Sequence, residues 1–243
     1  MSLVRSTAAA PIRRLIVTLA ALVVASFFVS PLASDVLHSS VIPKFLALGD
    51  SYTIGEGVAP AGRWPEQLAA ALRTDGVAVS DPEVVAKTGW TTDELAVAMD
   101  GHAFAPPYDL VTLLIGVNNQ YRGRSLDNYH DEFRALLKRA IALAAARPER
   151  VVVVSIPDWG VTRFGQGSGR DVAQIARELD AFNAANAAIA AEFHVRYADV
   201  APASRDGGGT AGMLAEDGLH PSAAMYARWL GAILPRAREA LAR

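Results

Sequence analysis

From Lys44 onward, short apolar runs alternate with longer amphipathic stretches, and this alternation limits the folds open to the chain. Short runs rich in Val, Ile and Leu are typical of buried strands, and amphipathic stretches are typical of helices. Strands that alternate with helices predict a parallel sheet covered on both faces, in a doubly wound α/β sandwich. In such folds ligands bind beyond the carboxyl ends of the strands. The predicted strands are residues 45–48, 83–86, 110–115, 151–156 and 195–200.

The stretches between these strands carry recognisable helix signals. Pro65 suits the first turn of one helix, and Thr91 with Glu94 has the spacing of a capping box at the start of the next. The last helix is expected to kink or end near Pro235, because proline has no amide hydrogen to donate. The predicted helices cover 64–73, a segment beginning immediately after Gly89-Trp90, and then 127–146, 171–193 and 225–234.

The N-terminus has the pattern of an export signal. Arg5, Arg13 and Arg14 precede residues 15–34, a run of apolar and small residues with no charge. Cations followed by such a run predict a signal peptide, and about twenty uncharged residues are also long enough for a membrane anchor. A buried core helix fits less well, because the run has no polar face. No clear small-x-small cleavage site follows, which favours an anchor slightly.

The rest of the composition points to a single exported domain. The chain has 243 residues, 51% of them hydrophobic, which is enough for one buried core and short for two. We expect a signal or anchor over 1–34, a tether over 35–43 and one catalytic domain over 44–243. The net charge of -2 gives no basic excess for nucleic acid. The absence of cysteine excludes disulfides and a thiol nucleophile.

Four loops carry the candidate catalytic residues. Residues 49–52, 87–90 and 116–119 each follow a predicted strand, and 217–221 precede the last helix. A serine hydroxyl needs a base to take its proton, and an imidazole serves best beside a carboxylate. The predicted catalytic residues are Ser51 as nucleophile, His220 as base and Asp217 as its partner. The predicted oxyanion donors are the Ser51 amide, the Gly89 amide and the Asn118 side-chain amide.

The ordered set Gly-Asp-Ser, Gly, Gly-x-Asn and Asp-x-x-His resembles the four blocks of the SGNH/GDSL hydrolase family. The four residues in the family's name are matched by Ser51, Gly89, Asn118 and His220. The resemblance implies a flavodoxin-like three-layer α/β/α fold with a five-stranded parallel sheet. It also implies no metal or other cofactor, and hydrolysis of esters, thioesters or carbohydrate acetyl groups through an acyl-enzyme.

The sequence departs from the family pattern at two positions. Tyr52 replaces the Leu that usually follows the nucleophile, and Asn119 stands where the family often has Asp. The second departure is expected to alter a structural hydrogen bond. Neither change removes the nucleophile or a named oxyanion donor.

Three aromatic residues near the expected site are predicted to contact substrate: Trp90, Trp159 and Phe164. They would line an apolar acyl pocket or stack on a sugar ring, and core packing is an equal alternative. The substrate is therefore a small-molecule or glycan ester that the sequence does not identify further. His130, Asp131 and Glu132 occupy consecutive helix positions that point in different directions, so they favour a solvated face over a metal site.

Two other functions remain open from the sequence. The glycine-containing turn at 49–55 suits a module that binds phosphate or flavin in a flavodoxin-like sheet. A catalytically silent envelope protein that binds glycans would keep the same fold. The first alternative leaves Asp217, His220 and Asn118 without a role, and the presence of all four motif residues argues against the second.

Overall fold

A five-stranded parallel sheet forms the centre of the computed structural model, which describes residues 42–242. Numbered as they occur along the chain, the strands lie side by side in the order 2-1-3-4-5, the order of flavodoxin-like folds. This sheet and its helices confirm the predicted α/β fold. The strands are β1 (Phe45–Gly49), β2 (Pro82–Ala86), β3 (Leu110–Leu114), β4 (Val151–Val154) and β5 (Arg196–Ala198).

The register of the sheet brings three strand ends to one level. Gly49 at the end of β1 pairs with Ala86 at the end of β2 and with Leu114 at the end of β3. The loops after these strands therefore start side by side at one edge of the sheet. The order also reverses direction between β1 and β3, which is where such sheets leave a crevice for ligands.

Helices cover the sheet on both faces. The helix at Trp64–Thr74 packs against the one at Ala223–Leu241. The helix at Leu126–Leu143 packs between those at Thr92–Gly101 and Val172–Glu192, as right-handed crossovers in this strand order require. Three further turns are 3-10 helices over Pro60–Gly62, Pro148–Arg150 and Trp159–Val161. The α-helices are α1 (Ser51–Ile54), α2 (Trp64–Thr74), α3 (Thr92–Gly101), α4 (Val117–Tyr121), α5 (Leu126–Leu143), α6 (Arg163–Gly167), α7 (Val172–Glu192), α8 (Ala201–Gly207) and α9 (Ala223–Leu241).

Side-chain caps start several of these helices where the sequence predicts. The Thr91 amide donates to Glu94 Oε2 over 2.9 Å, which forms part of the predicted capping box of α3. Asp171 caps α7 by accepting from the Ala173 amide, and Ser222 caps α9 by accepting from the Met225 amide. These caps satisfy amides that have no partner inside a helix.

Two predicted helix ends are wrong. The helix α9 does not end near Pro235 but continues to Leu241. Ile233 and Ala237, on the turns before and after the proline, are both fully buried, so continued packing outweighs the missing amide. The helix α5 ends at Leu143, before the predicted 146, because Ala145 and Ala146 adopt left-handed φ angles of 57° and 58°.

Within residues 42–242, no helix is both long enough and apolar enough to cross a bilayer. The predicted signal or anchor over 1–34 and most of the tether over 35–43 lie outside the described residues. The predictions about this segment therefore stay predictions.

Candidate active site

The turn between β1 and α1 places Ser51 at the edge of the sheet where β1, β2 and β3 end at one level. Asp50 is fully buried and caps α1, with its Oδ1 accepting from the Tyr52 amide over 3.0 Å. Ser51 is the first residue of α1, and only 4% of its surface is exposed. Gly55 ends the helix in the left-handed region with φ of 68°. The serine is thus held on a short, capped helix whose start faces a cavity.

His220 and Asp217 form a bonded pair on one turn. The His220 Nδ1 lies 2.6 Å from Asp217 Oδ2, and the other carboxylate oxygen accepts from the amides of Leu219 and His220. Burial alone would raise the pKa of Asp217. The hydrogen bonds from the imidazole and the two amides outweigh burial and hold that pKa below its usual range. The carboxylate therefore stays ionised beside the imidazole at neutral pH.

Ser51 and His220 line the same cavity, which has a volume of about 250 Å³. Tyr52 lies against the histidine, with the two ring centroids 5.6 Å apart. No hydrogen bond between the Ser51 hydroxyl and the imidazole is formed in the part of the chain that the structure describes. Such catalytic hydrogen bonds are often loose before substrate binds. The arrangement thus brings the predicted nucleophile and the predicted base to one cavity, with the His220 imidazole already bonded to the Asp217 carboxylate.

Hydrogen-bond donors without partners surround Ser51. Neither the Ser51 amide nor the Gly89 amide donates to another group among the described residues. The Asn118 Nδ2 donates to the Trp90 carbonyl over 2.9 Å, which orients the side chain and leaves its second hydrogen for a ligand. All three predicted oxyanion donors border the same cavity. They can stabilise negative charge on an oxygen bound there.

Gly116 fixes the start of the helix that carries Asn118. Its φ is 128°, and a Cβ on it would lie 2.5 Å from the Tyr129 ring. The Tyr129 hydroxyl in turn donates to the Ile115 carbonyl over 2.9 Å. Only glycine meets both the backbone and the space requirement, so the tight junction of β3 and α4 depends on it.

Asn119 has a structural role that explains its difference from the family pattern. Its Oδ1 accepts from the Thr92 amide over 3.1 Å, and its Nδ2 donates to the Thr92 hydroxyl over 2.6 Å. That hydroxyl has one proton, which it donates to Glu132. A carboxylate at position 119 would have no proton to offer the hydroxyl oxygen. The amide is therefore the group that completes this buried network between α3, α4 and α5.

The cavity walls include two of the three predicted substrate-binding residues. Trp159 is buried, with Nε1 donating to Gln120 Oε1 over 2.8 Å, and Phe164 is 38% exposed at the mouth. Trp90 does not line this cavity, which corrects its expected position. Its side chain borders a separate surface hollow formed with α3. The loop turns it away, while its carbonyl faces Asn118.

Other wall residues were not singled out from the sequence. Tyr121 is the most informative, because it is 48% exposed and its ring lies 5.4 Å from Trp159 and 6.3 Å from Phe164. It stands three residues after Asn118 on α4, and that spacing on one helix face is the signal that could have identified it. The remaining wall residues outside the predicted set are Tyr52, Thr88, Val117 and Leu219.

Asp50 is a second residue whose environment the sequence did not reveal. Burial raises the pKa of Asp50 to about 7, although the hydrogen bond from the Tyr52 amide favours the ionised form. Its Oδ2 has no hydrogen-bond partner within residues 42–242. The carboxyl next to the nucleophile therefore changes protonation near neutral pH.

The predicted solvated face over residues 130–132 is exposed at Asp131 and half-buried at the other two residues. His130 lies 3.7 Å from Asp131, whereas Glu132 accepts from Thr92 in the buried network. No group of three or more His, Asp or Glu side chains in residues 42–242 is placed to hold a metal ion.

Comparison with known proteins gives one family match. The family model described as GDSL-like Lipase/Acylhydrolase matches residues 47–228, a range that includes all four motifs and their loops. A search of curated proteins gives no match.

Several solved structures share the fold. The crystal structure of TesA has a TM-score of 0.64 at 22% identity, and the match covers 81% of this chain and 99% of that chain. The psychrotrophic esterase EstA from Pseudoalteromonas sp. has a TM-score of 0.62 at 16% identity, covering 81% of this chain and 97% of that chain. Axe2, an acetylxylan esterase from Geobacillus stearothermophilus, has a TM-score of 0.61 at 20% identity, covering 80% and 94%. At these identities the likeness is one of fold.

Proposed function

The chain belongs to the GDSL-like lipase/acylhydrolase family, a family of ester-bond hydrolases, and from this premise we propose that it cleaves carboxylic esters through an acyl-enzyme on Ser51. His220 acts as the base, with Asp217 as its partner. The Ser51 amide, the Gly89 amide and the Asn118 side chain form the oxyanion hole. The observation that carries the proposal is the meeting of a bonded His220–Asp217 pair, Ser51 and uncommitted donors in one cavity.

The reaction follows from these positions. Because Nδ1 of His220 is bonded to Asp217, Nε2 is the nitrogen that takes the Ser51 proton. The serine oxygen forms a bond to the ester carbon, and the carbonyl electron pair moves to the oxygen held by the three donors. When this tetrahedral intermediate collapses, the bond between the ester carbon and the alcohol oxygen breaks, and the alcohol receives the proton from His220. Water, activated by His220, then attacks the acyl-enzyme in the same way, which releases the acid and restores the Ser51 hydroxyl.

The walls of the cavity suggest what part of the ester it holds. Tyr121, Trp159 and Phe164 place three aromatic rings around the space beside Ser51. Such walls favour an apolar acyl or aryl group through contact area. We propose small-molecule or lipid esters as the preferred substrates. A carbohydrate O-acetyl group is the second candidate, because the same rings can stack on a sugar and Axe2 is described as an acetylxylan esterase.

The phosphate-binding alternative fits the geometry less well. A phosphate in a flavodoxin-like site needs free amides at a helix N-terminus. Here the Asp50 carboxyl occupies the start of α1 and accepts from the Tyr52 amide. The helix itself has only four residues. Of the four amides of this helix, those of residues 52–54 are thus already bonded to Asp50, and the Ser51 amide alone is left for a phosphate in the described chain.

We propose further that the enzyme is exported, with its catalytic domain outside the cytoplasmic membrane. Support comes from the sequence alone, in the three arginines ahead of the uncharged run 15–34. The proposal includes two forms, a cleaved soluble form and one anchored through that run.

Labelling with a fluorophosphonate tests the proposed nucleophile. The full-length chain and its Ser51→Ala variant are each treated with the probe and then assayed on p-nitrophenyl esters of graded acyl length. We expect covalent labelling and turnover of the wild type, and neither in the variant. Thr53→Ala is a matched control, because this hydroxyl lies on the same helix but is fully buried. Labelling that survives Ser51→Ala, or a wild type that hydrolyses no ester, would reject the proposal.

A further inference from the structure

The three proposed oxyanion donors come from three separate loops, and they are not held equally. Ser51 and Asn118 follow β1 and β3, which are paired neighbours in the sheet. Gly89 follows β2, which is the edge strand. Its loop is exposed at Lys87 and Thr88, and Gly89, which is half-buried, has φ of 87°. A glycine in an exposed edge loop has the greatest backbone freedom of the three donors, so its amide needs an external support.

Arg122 supplies a contact of this kind. It is the C-cap residue of α4, and its Nη2 donates to the Gly89 carbonyl over 2.6 Å. Its Nη1 lies 3.4 Å from Glu94, at the start of α3. A hydrogen bond from a charged guanidinium to a carbonyl is shorter and stronger than a neutral one. The bond ties the edge loop to the helix that carries Asn118.

The loop is therefore fixed to α4 at two adjacent carbonyls. Asn118 Nδ2 holds the Trp90 carbonyl and Arg122 holds the Gly89 carbonyl. Asn118 and Arg122 are four residues apart, on one face of α4. With both carbonyls held, rotation about the Gly89 backbone is restricted, and the direction of its amide is restricted with it.

We propose that Arg122 is a positioning residue for the oxyanion hole, which holds the Gly89 loop so that the Gly89 amide faces the ester oxygen. This inference rests on the proposed function, because it concerns the transition state of ester cleavage. Arg122 does not line the cavity, and it acts through Gly89 and not on the substrate. Its loss should weaken binding of the oxyanion and leave binding of the neutral ester unchanged.

The test compares Arg122→Gln and Arg122→Lys with Arg124→Gln as the matched control. Arg124 lies two residues further on and also pairs with α3, through Asp93, but it does not contact the Gly89 loop. For Arg122→Gln we expect kcat on a p-nitrophenyl ester to fall about tenfold with KM unchanged, since a misplaced donor forfeits part of the 100- to 1,000-fold associated with a whole one. Arg122→Lys should retain more activity, and Arg124→Gln should match the wild type.

Two further readouts separate positioning from a general loss of structure. Guanidinium ion at millimolar concentration should restore part of the kcat of an Arg122→Gly variant, whereas urea at the same concentration should not. In a double-mutant cycle, the effects of Arg122→Gln and Asn118→Ala on kcat should be less than additive, since both residues hold the same loop. Thermal unfolding of each variant provides the stability comparison.

The outcomes distinguish this inference from the proposed function. If wild type hydrolyses esters and Arg122→Gln keeps its kcat, the positioning role is wrong and the proposed function stands. If kcat falls only together with the unfolding temperature, without guanidinium rescue and with additive effects, the role is structural and the inference is also wrong. If wild type shows no hydrolysis that depends on Ser51, both fail.

Discussion

Asp217 Oδ2 and His220 Nδ1 lie 2.6 Å apart across a turn of four residues, so the imidazole and the carboxylate come from one local segment. The same carboxylate accepts from two amides of that turn. The pair is therefore oriented by short-range backbone geometry. Its position relative to Ser51 depends on the packing of the turn against the sheet edge.

In the proposed mechanism Ser51 and His220 act together in one proton transfer. Ser51→Ala and His220→Ala should each remove nearly all ester hydrolysis, and the double variant should be little worse than either single variant. Initial rates on p-nitrophenyl acetate measure the effect, and circular dichroism checks that each variant is folded. A Ser51→Ala enzyme with turnover near wild type would contradict the assignment.

Asn118→Ala should lower kcat far more than it raises KM. The side-chain amide is proposed to bind charge that exists only in the transition state, and one such donor is typically worth about 100- to 1,000-fold. The variant also loses the hydrogen bond to the Trp90 carbonyl, so part of the fall in kcat comes from loosening of the Gly89 loop. Steady-state kinetics on one ester measure this effect, and an unchanged kcat would show that Asn118 is not an oxyanion donor.

The stability of the protein should carry a pH signature from Asp50. Burial raises the pKa of Asp50 from 3.8 to about 7 in the folded chain. The protonated carboxyl contributes to the free energy of unfolding; this contribution is fully present below about pH 3.8 and is lost as pH rises through about 7. Asp50→Asn keeps an oxygen that can cap α1 but does not titrate. Relative to that variant, the wild type should therefore become less stable as pH rises from 4 to 7.

Urea unfolding of wild type and Asp50→Asn at several pH values measures this difference. Other titrating groups, including Asp217, are common to both proteins and cancel in the comparison. A difference in unfolding free energy that stays constant across this range, or that grows in favour of the wild type, would show that the Asp50 carboxyl is ionised throughout.

Phe164 at the mouth of the cavity should affect substrates according to their size. Phe164→Ala should raise KM for esters with long acyl or aryl groups about fivefold, the loss expected for roughly 1 kcal/mol of aromatic contact. Acetyl esters should change less, because they do not reach the mouth. Leu126→Ala is the matched control, since Leu126 is also 38% exposed but does not line the cavity. Equal effects of the two variants would contradict this substrate orientation.

The export proposal predicts where the full-length chain is found. A C-terminally tagged protein expressed in bacteria should be digested when protease is added to spheroplasts, because the arginines remain inside and the rest is translocated. Glutamate at positions 5, 13 and 14 should reduce the accessible fraction. A protected cytosolic pool of full-length wild type would defeat the proposal, whereas a soluble form beginning near residue 35 would defeat only the preference for an anchor.

The sheet could be predicted from the sequence because buried parallel strands are continuous apolar runs, and β1, β3 and β4 are fully buried along their lengths. The four motif residues could be located for a related reason. Ser51 and Asn118 follow two of these strands, Gly89 follows the partly buried edge strand β2, and His220 precedes the last helix. Short loops at these places leave few possible positions.

Contacts that depend on the direction of a side chain could not be predicted. Trp90 follows Gly89, whose φ of 87° turns the chain in a direction that no local pattern encodes, and its ring points away from the cavity. The bond from Arg122 to Gly89 joins residues 33 positions apart, and only the assembled sheet edge brings them together.

Ser51, the proposed nucleophile, follows the first strand, and His220, its proposed base, precedes the last helix, so the two ends of the folded domain meet in one cavity. During synthesis, Ser51 leaves the ribosome long before His220 does. A nascent or prematurely terminated chain therefore carries a serine with no base to activate it. Under the proposed mechanism hydrolysis requires a chain that includes His220, so a product truncated before that residue is expected to leave the esters of the cell that makes it intact.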